Sequence, residues 1–301
     1  MEQNLEGHTH KTVDLPNGET YAYREAGNPS KPVLLMIHNS FNSSRQFLPI
    51  FPDLKDHLRL IAVDLRGHGY SSYKNPINSL TDFSEDIKLF CDALGLKKFS
   101  MLGWTFGGGL SLQFAAMYPE YVERIILHSS MSCQGYYIPK VNEKFEMLQE
   151  RVKTREEAAN FSVAAMLNNA IANKGEPFLT QLCKFEFYNQ DKVPEDFLAQ
   201  TVESYYQCRS AADTTWVLNF FNISTEDSEV AKGTKEITKI TCPVLILSGE
   251  HDYVTPPNDA LFNKKALGDL AELKTYKDAG NALLVEKKEE FLKDLKEFMK
   301  I

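Results

Sequence analysis

Short apolar runs bounded by turn residues alternate along this chain with stretches whose apolar positions recur every three or four residues. The runs at 10–15, 20–25, 33–37, 58–63, 99–103 and 124–127 predict strands, and the pattern at 80–94, with Phe83, Ile87, Phe90 and Leu94 on one face, predicts a helix. Two more strands are expected at 243–247 and 272–276, and a closing helix at about 286–300. Strands alternating with helices of this length imply an α/β architecture with a mostly parallel eight-stranded sheet flanked by helices.

Between residues 132 and 235 the pattern changes. Helical periodicity at 145–152, 156–167, 194–207 and 211–220 is rich in aromatics, and no buried strand is evident. The expected division is therefore a core of residues 1–131 and 236–301 with 132–235 inserted as a helical lid. A lid over the carboxyl ends of the strands covers the edge where open α/β sheets bind ligands.

Composition narrows the field only a little. Forty-one acidic residues against 33 basic ones give a formal net charge of −8, which argues against nucleic acid and anionic membranes as partners. Five cysteines without a C-x-x-C spacing suggest neither a zinc site nor a redox pair, so no metal and no cofactor are expected. No apolar stretch reaches 18 residues and no secretory leader pattern opens the chain, so a cytoplasmic location is the expectation. Nothing in the sequence speaks to oligomeric state.

Chemistry concentrates in four short segments. Phe99 to Leu102 is an apolar strand that runs into Gly103-Trp104-Thr105-Phe106-Gly107 and then a helical pattern. Leu34-Leu-Met-Ile-His38-Asn39-Ser40 ends another strand, Val63-Asp64-Leu65-Arg66-Gly67-His68-Gly69 follows a third, and Leu247-Ser-Gly-Glu-His-Asp252 a fourth. Strand, G-x-[nucleophile]-x-G turn and helix together resemble the nucleophile elbow of the α/β-hydrolase superfamily. The other three segments are similar to that family's His-Gly-x loop, its D-x-R-G-x-G turn and the strand end that carries its acid. The anchors span about residues 30–285 and point to a lid-bearing branch of esterase or lactonase type.

That resemblance implies an α/β-hydrolase fold acting on a small carbonyl compound of ester or lactone type. It implies Thr105 at the nucleophile, Asp252 at the acid, and the backbone N–H groups of Ser40 and Phe106 at the oxyanion hole. Phe41, Trp104 and His38 are candidates to line the substrate pocket. Two positions depart from the family. Thr105 stands where serine is usual, adding a β-branch at a strained turn. Asn281, in Asp278-Ala-Gly-Asn281, stands where the family has its histidine, and no histidine follows His251.

An imidazole accepts a proton near neutral pH, whereas an amide does not at any pH a cell reaches. Asn281 is nevertheless expected to hold the geometry, its N–H2 on Asp252 and its oxygen on Thr105. His128, at a strand end on the same edge, is the candidate substitute base. Asn39, in place of the family's glycine, is expected to tolerate positive φ and keep the loop in shape. His8, His10 and His57 read as surface residues. Four readings follow: a hydrolase with weak or lost turnover, a ligand-binding pseudoenzyme, a lyase or isomerase using the oxyanion cradle, and a deliberately silenced hydrolase.

Overall fold

The computed structural model describes residues 4, 5 and 8–301, with side chains from His10 onward. Eleven strands are present among these residues: β1 Asn4–Leu5, β2 His8–Asp14, β3 Thr20–Ala26, β4 Val33–Ile37, β5 Arg59–Val63, β6 Phe99–Trp104, β7 Val122–His128, β8 Pro139–Val141, β9 Met147–Arg151, β10 Val244–Gly249 and β11 Ala271–Tyr276. Nine of them form one sheet in the order β1-β2-β3-β5-β4-β6-β7-β10-β11. The eight expected strands are all in it, and the two-residue β1 pairs outside them along the edge. From β5 to β11 every pairing is parallel, while β1, β2 and β3 join antiparallel.

Strand alternation divides the core into two layers. On one face Leu35, Ile37, Met101, Ile125, Leu127, Val244 and Ile246 pack under the helices Leu80–Ala93 and Phe106–Met117. On the other Leu34, Met36, Leu102, Trp104, Ile126, Leu245 and Leu247 pack with Phe47, Phe187, Phe197 and Phe291. The closing helix is Lys288–Met299, preceded by the short turn of helix Leu283–Glu286.

Residues between β7 and β10 fold as five helices, Arg155–Asn160, Val163–Ala172, Glu176–Lys184, Glu195–Tyr206 and Ala211–Phe220, plus the β8–β9 hairpin. The hairpin corrects the helix expected at 145–152. Phe145 takes a positive φ of 61° and turns the chain, and Met147, Leu148, Gln149 and Glu150 are all exposed, so that stretch has no buried helical face. Of the surface histidines expected, His57 is exposed, whereas His10 is half-buried with its ring edge-on to Tyr70; the side chain of His8 lies outside those described. No helix among the described residues is long and apolar enough to cross a membrane.

Parallel register brings the ends of β6, β10 and β11 to one edge. Trp104 pairs with His128, His128 with Leu247, and Gly249 with Tyr276. The elbow after β6 is held against β4 by glycine: a Cβ on Gly107 would lie 2.0 Å from the Ile37 carbonyl oxygen, and one on Gly103 would lie 2.2 Å from that of Gly107. Both clashes are with backbone, so neither is relieved by a rotamer change. Gly107→Ala is expected to cost about 2 kcal/mol, lowering the calorimetric melting temperature by roughly 3 °C. An unchanged melt would mean that the elbow does not pack on β4 as described.

Candidate active site

Thr105 sits between β6 and the helix Phe106–Met117 with φ 50° and ψ −103°, well outside the regions open to a β-branched residue. Its N–H donates to the His128 carbonyl at 3.0 Å, and its own carbonyl accepts from Gly108, Gly109 and Met131, so the turn is fixed from both sides. This is a backbone that costs about 1–3 kcal/mol to hold and points a short side chain away from the sheet.

What the Thr105 hydroxyl meets is Asn281. The Thr105 Oγ1 donates to Asn281 Oδ1 at 3.2 Å, and the Trp104 indole Nε1 donates to the same oxygen at 2.7 Å. An indole N–H is a donor only, so it fixes which end of the amide faces β6. The Asn281 Nδ2 therefore turns the other way and donates to Asp252 at 2.9 and 3.2 Å and to Thr255 Oγ1 at 3.0 Å. Asp252 also accepts from the Val254 and Thr255 N–H groups, both at 2.8 Å, and from Thr255 Oγ1 at 2.7 Å. Burial raises the Asp252 carboxyl to about 6 despite these donors, since no cation reaches it. Asp252, Asn281 and Thr105 thus stand in line, each nearly excluded from solvent.

Around the elbow, the N–H groups of Ser40 and Phe106 make no hydrogen bond among the described residues. The left-handed residue of the preceding loop is Phe41, with φ 66°, and not Asn39 as expected. Asn39 is held in the loop by its N–H, which donates to Gln46 Oε1 at 3.1 Å, and by its side chain, which donates to buried Glu186. Phe41 packs into the apolar layer with Phe47 and Trp104. His38 is tied by both nitrogens: Nδ1 contacts the Asn39 carbonyl at 2.7 Å and Nε2 accepts from the Leu65 N–H at 3.1 Å. Burial lowers its pKa, and its ring bonds hold the loop instead of facing Thr105.

His128 is the largest departure from expectation. Its backbone carbonyl accepts from the Thr105 N–H, and its ring packs against Trp104, with 4.4 Å between ring centroids, and against Phe291, at 5.1 Å. Neither ring nitrogen makes a hydrogen bond of full geometry among the described residues. Burial pushes its pKa down to about 3, and the one polar group acting on it, the Asn281 backbone, offsets little of that. The Thr105 hydroxyl donates to Asn281 and makes no hydrogen bond to this imidazole.

Three contributors went unnoticed in the sequence. The indole N–H of Trp104 and the hydroxyl of Thr255 both anchor Asn281. Thr255 is three residues beyond Asp252, a spacing at which a hydroxyl reaches back to a carboxylate, and that signal could have been read. Glu186 could not have been. It follows the helix Glu176–Lys184, and its backbone carbonyl accepts from the N–H groups of Asn281 at 2.7 Å and Ala282 at 3.0 Å. Its side chain is buried, accepts at Oε1 from Asn39 Nδ2 at 3.0 Å and Tyr205 OH at 3.2 Å, and is raised to about 7 by burial. A surface cleft lined by Phe187, Tyr188, Lys192, Asp278 and Lys287 lies nearby but includes none of Thr105, Asn281 or Asp252.

The model of the alpha/beta hydrolase fold matches residues 32–288 of the sequence, from the start of β4 to the final helix. The chain belongs to this family. Among sequence relatives of this alpha/beta hydrolase, the proline iminopeptidase PfmaB of Pestalotiopsis fici is 24% identical over 287 residues, covering 93% of this chain and 96% of its own. A proline iminopeptidase of Saccharolobus solfataricus is also 24% identical, over 92% and 87%. The esterase EaEST of Exiguobacterium antarcticum superposes with a TM-score of 0.75 at 18% identity, over 97% of this chain and 99% of its own. The enol-lactonase of Burkholderia xenovorans LB400 gives 0.74 at 17%, over 97% and 100%. At these identities the solved structures speak for the fold.

Proposed function

We propose that this alpha/beta hydrolase encloses a small carbonyl compound of ester or lactone type under the 132–235 segment, acting as a lid, and that it no longer forms an acyl intermediate through its triad positions. The observation that carries this reading is the double use of Asn281 Oδ1. That oxygen accepts from Thr105 Oγ1 and from Trp104 Nε1 at once. It is a hydrogen-bond acceptor that cannot take the proton away, so the hydroxyl stays a weak nucleophile. The arrangement keeps the shape of a nucleophile–base–acid relay without its proton transfer.

The Ser40 and Phe106 N–H groups, without an acceptor among the described residues, form the cradle for the ligand's carbonyl oxygen in this reading. Trp104 and Phe41 serve as apolar walls and supports, and His38 as a brace for the Ser40 loop. The esterase and the enol-lactonase among the structural neighbours favour ester and lactone ligands in this reading.

The test is a panel of short aryl esters and γ-lactones. Binding is expected to raise the melting temperature, because a ligand that prefers the folded state stabilises it by mass action. Intact-protein mass spectrometry after incubation with activated aryl esters is expected to show no acyl adduct. An adduct mapping to Thr105 would overturn the reading, and so would a panel in which nothing shifts the melt.

A further inference from the structure

A buried carboxyl group needs donors for both oxygens or a proton of its own. Glu186 has neither a cation nor a second set of donors. Oε1 accepts from Asn39 Nδ2 and Tyr205 OH, while Oε2 is buried without a partner. Asn39 shows the complementary anomaly: its Nδ2 is used and its Oδ1 is buried and unpartnered. A carboxyl and a primary amide are both planar forks, so a pair already joined by an N–H to Oε1 contact is one that a second hydrogen bond between Oε2 and Oδ1 would close. Two acceptors left over on such a pair repel unless a proton lies between them.

Position gives this pair its meaning. Asn39 immediately precedes Ser40, whose N–H belongs to the proposed cradle, and the Glu186 carbonyl accepts from the backbone N–H of Asn281. Glu186 therefore bridges the two loops that flank the elbow, in a site whose relay has no proton acceptor. The titratable groups around it are Tyr205 on the helix Glu195–Tyr206, Asp252 beyond β10 and Cys183 on its own segment. Burial keeps Tyr205 and Cys183 protonated, and the like charge of Asp252 adds to the cost of ionising Glu186.

We propose that Glu186 rests as a neutral carboxylic acid sharing its Oε2 proton with Asn39 Oδ1, and that on ionisation it is the general base for attack of water on the enclosed ester or lactone. This rests on the reading of the site as a carbonyl cradle. In the step, the Glu186 carboxylate takes a proton from water as the water oxygen bonds to the carbonyl carbon. The oxyanion so formed sits on the Ser40 and Phe106 N–H groups. When the carbon–oxygen bond to the leaving group breaks, the Glu186 acid returns its proton to the departing alkoxide. Ester and water become acid and alcohol, Glu186 ends as it began, and no covalent intermediate arises.

The experiment compares the parent chain with Glu186→Gln on p-nitrophenyl acetate. Glutamine can keep both Asn39 contacts, its oxygen accepting from Nδ2 and its N–H2 donating to Oδ1, so the fold and the melt should be retained. Slow turnover by the parent is expected to rise with pH through a single ionisation near 7, with at least a tenfold loss in the variant across that range. Infrared spectra should show a protonated carboxyl band in the parent at neutral pH that is absent from Glu186→Gln.

Equal turnover by the two chains would overturn the proposal, as would a parent rate no higher than that in buffer or a missing infrared band. In each of those cases ligand-induced thermal stabilisation could persist, leaving the carbonyl-site reading standing. Loss of that stabilisation in both chains would sink the two together.

Discussion

Thr105→Ser, Asn281→His and Trp104→Phe made together are expected to raise kcat/KM for p-nitrophenyl acetate about 10³-fold or more over the parent chain. Two of the changes restore a primary alcohol and a base between groups already in line, since Asn281 Nδ2 lies within 3.2 Å of both Asp252 oxygens. The third follows from the structure. An imidazole is longer than an amide, and the Trp104 indole nitrogen is only 2.7 Å from Asn281 Oδ1, the direction in which the ring must extend. With the indole in place, a histidine at 281 would either be pushed off line or have its lone pair occupied by the indole N–H. The double variant lacking Trp104→Phe is therefore expected to gain at least tenfold less. A burst of p-nitrophenol and an acyl adduct on residue 105 should accompany the gain. A triple variant that folds, melts within a few degrees of the parent and shows no gain would mean that position 281 is not where the base belongs.

The fold was legible because its signals are local. Apolar runs such as Val33–Ile37 and Val244–Gly249 are buried on both faces of the sheet and read as unbroken hydrophobic segments. The elbow was legible through its two glycines, one demanded by backbone four residues on, at Gly107, and the other by the backbone of β4 at Ile37. The β8–β9 hairpin was not, because Met147 and Leu148 are apolar yet exposed and mimic the periodicity of a helix face. The site divides in the same way. Asp252 and Asn281 were placed by the resemblance of the segments after β10 and β11 to the family's acid and histidine segments. The direction of the His128 ring depends on which face the strand presents at its last residue. The contact of Glu186 with Asn39 spans 147 residues and leaves no local mark.

His128→Phe is expected to stabilise the protein, and by an amount that grows as pH falls. At neutral pH the parent carries, between Trp104 and Phe291, two buried ring nitrogens that make no hydrogen bond of full geometry among the described residues. Removing such unsatisfied groups gains about 1–3 kcal/mol where the replacement ring fits the same slot. The pH dependence has a definite sign. Burial depresses the folded-state pKa of His128 to about 3, far below the unfolded imidazole. Between those values the unfolded chain binds a proton that the folded chain refuses, so the parent loses stability as pH drops below about 6.5. The phenylalanine variant escapes that loss, and its advantage should widen by about 2 kcal/mol between pH 7 and pH 5. Buried His38 and His68 also have lowered pKa values, but both chains share them and they cancel in the difference. Denaturant titrations of the two proteins at pH 7 and pH 5 make the measurement. If the difference were flat with pH, the ring would be titrating freely and would have to lie where water or Thr105 can reach it. Retained p-nitrophenyl acetate turnover in the variant would separately remove His128 from the proton chemistry of the site.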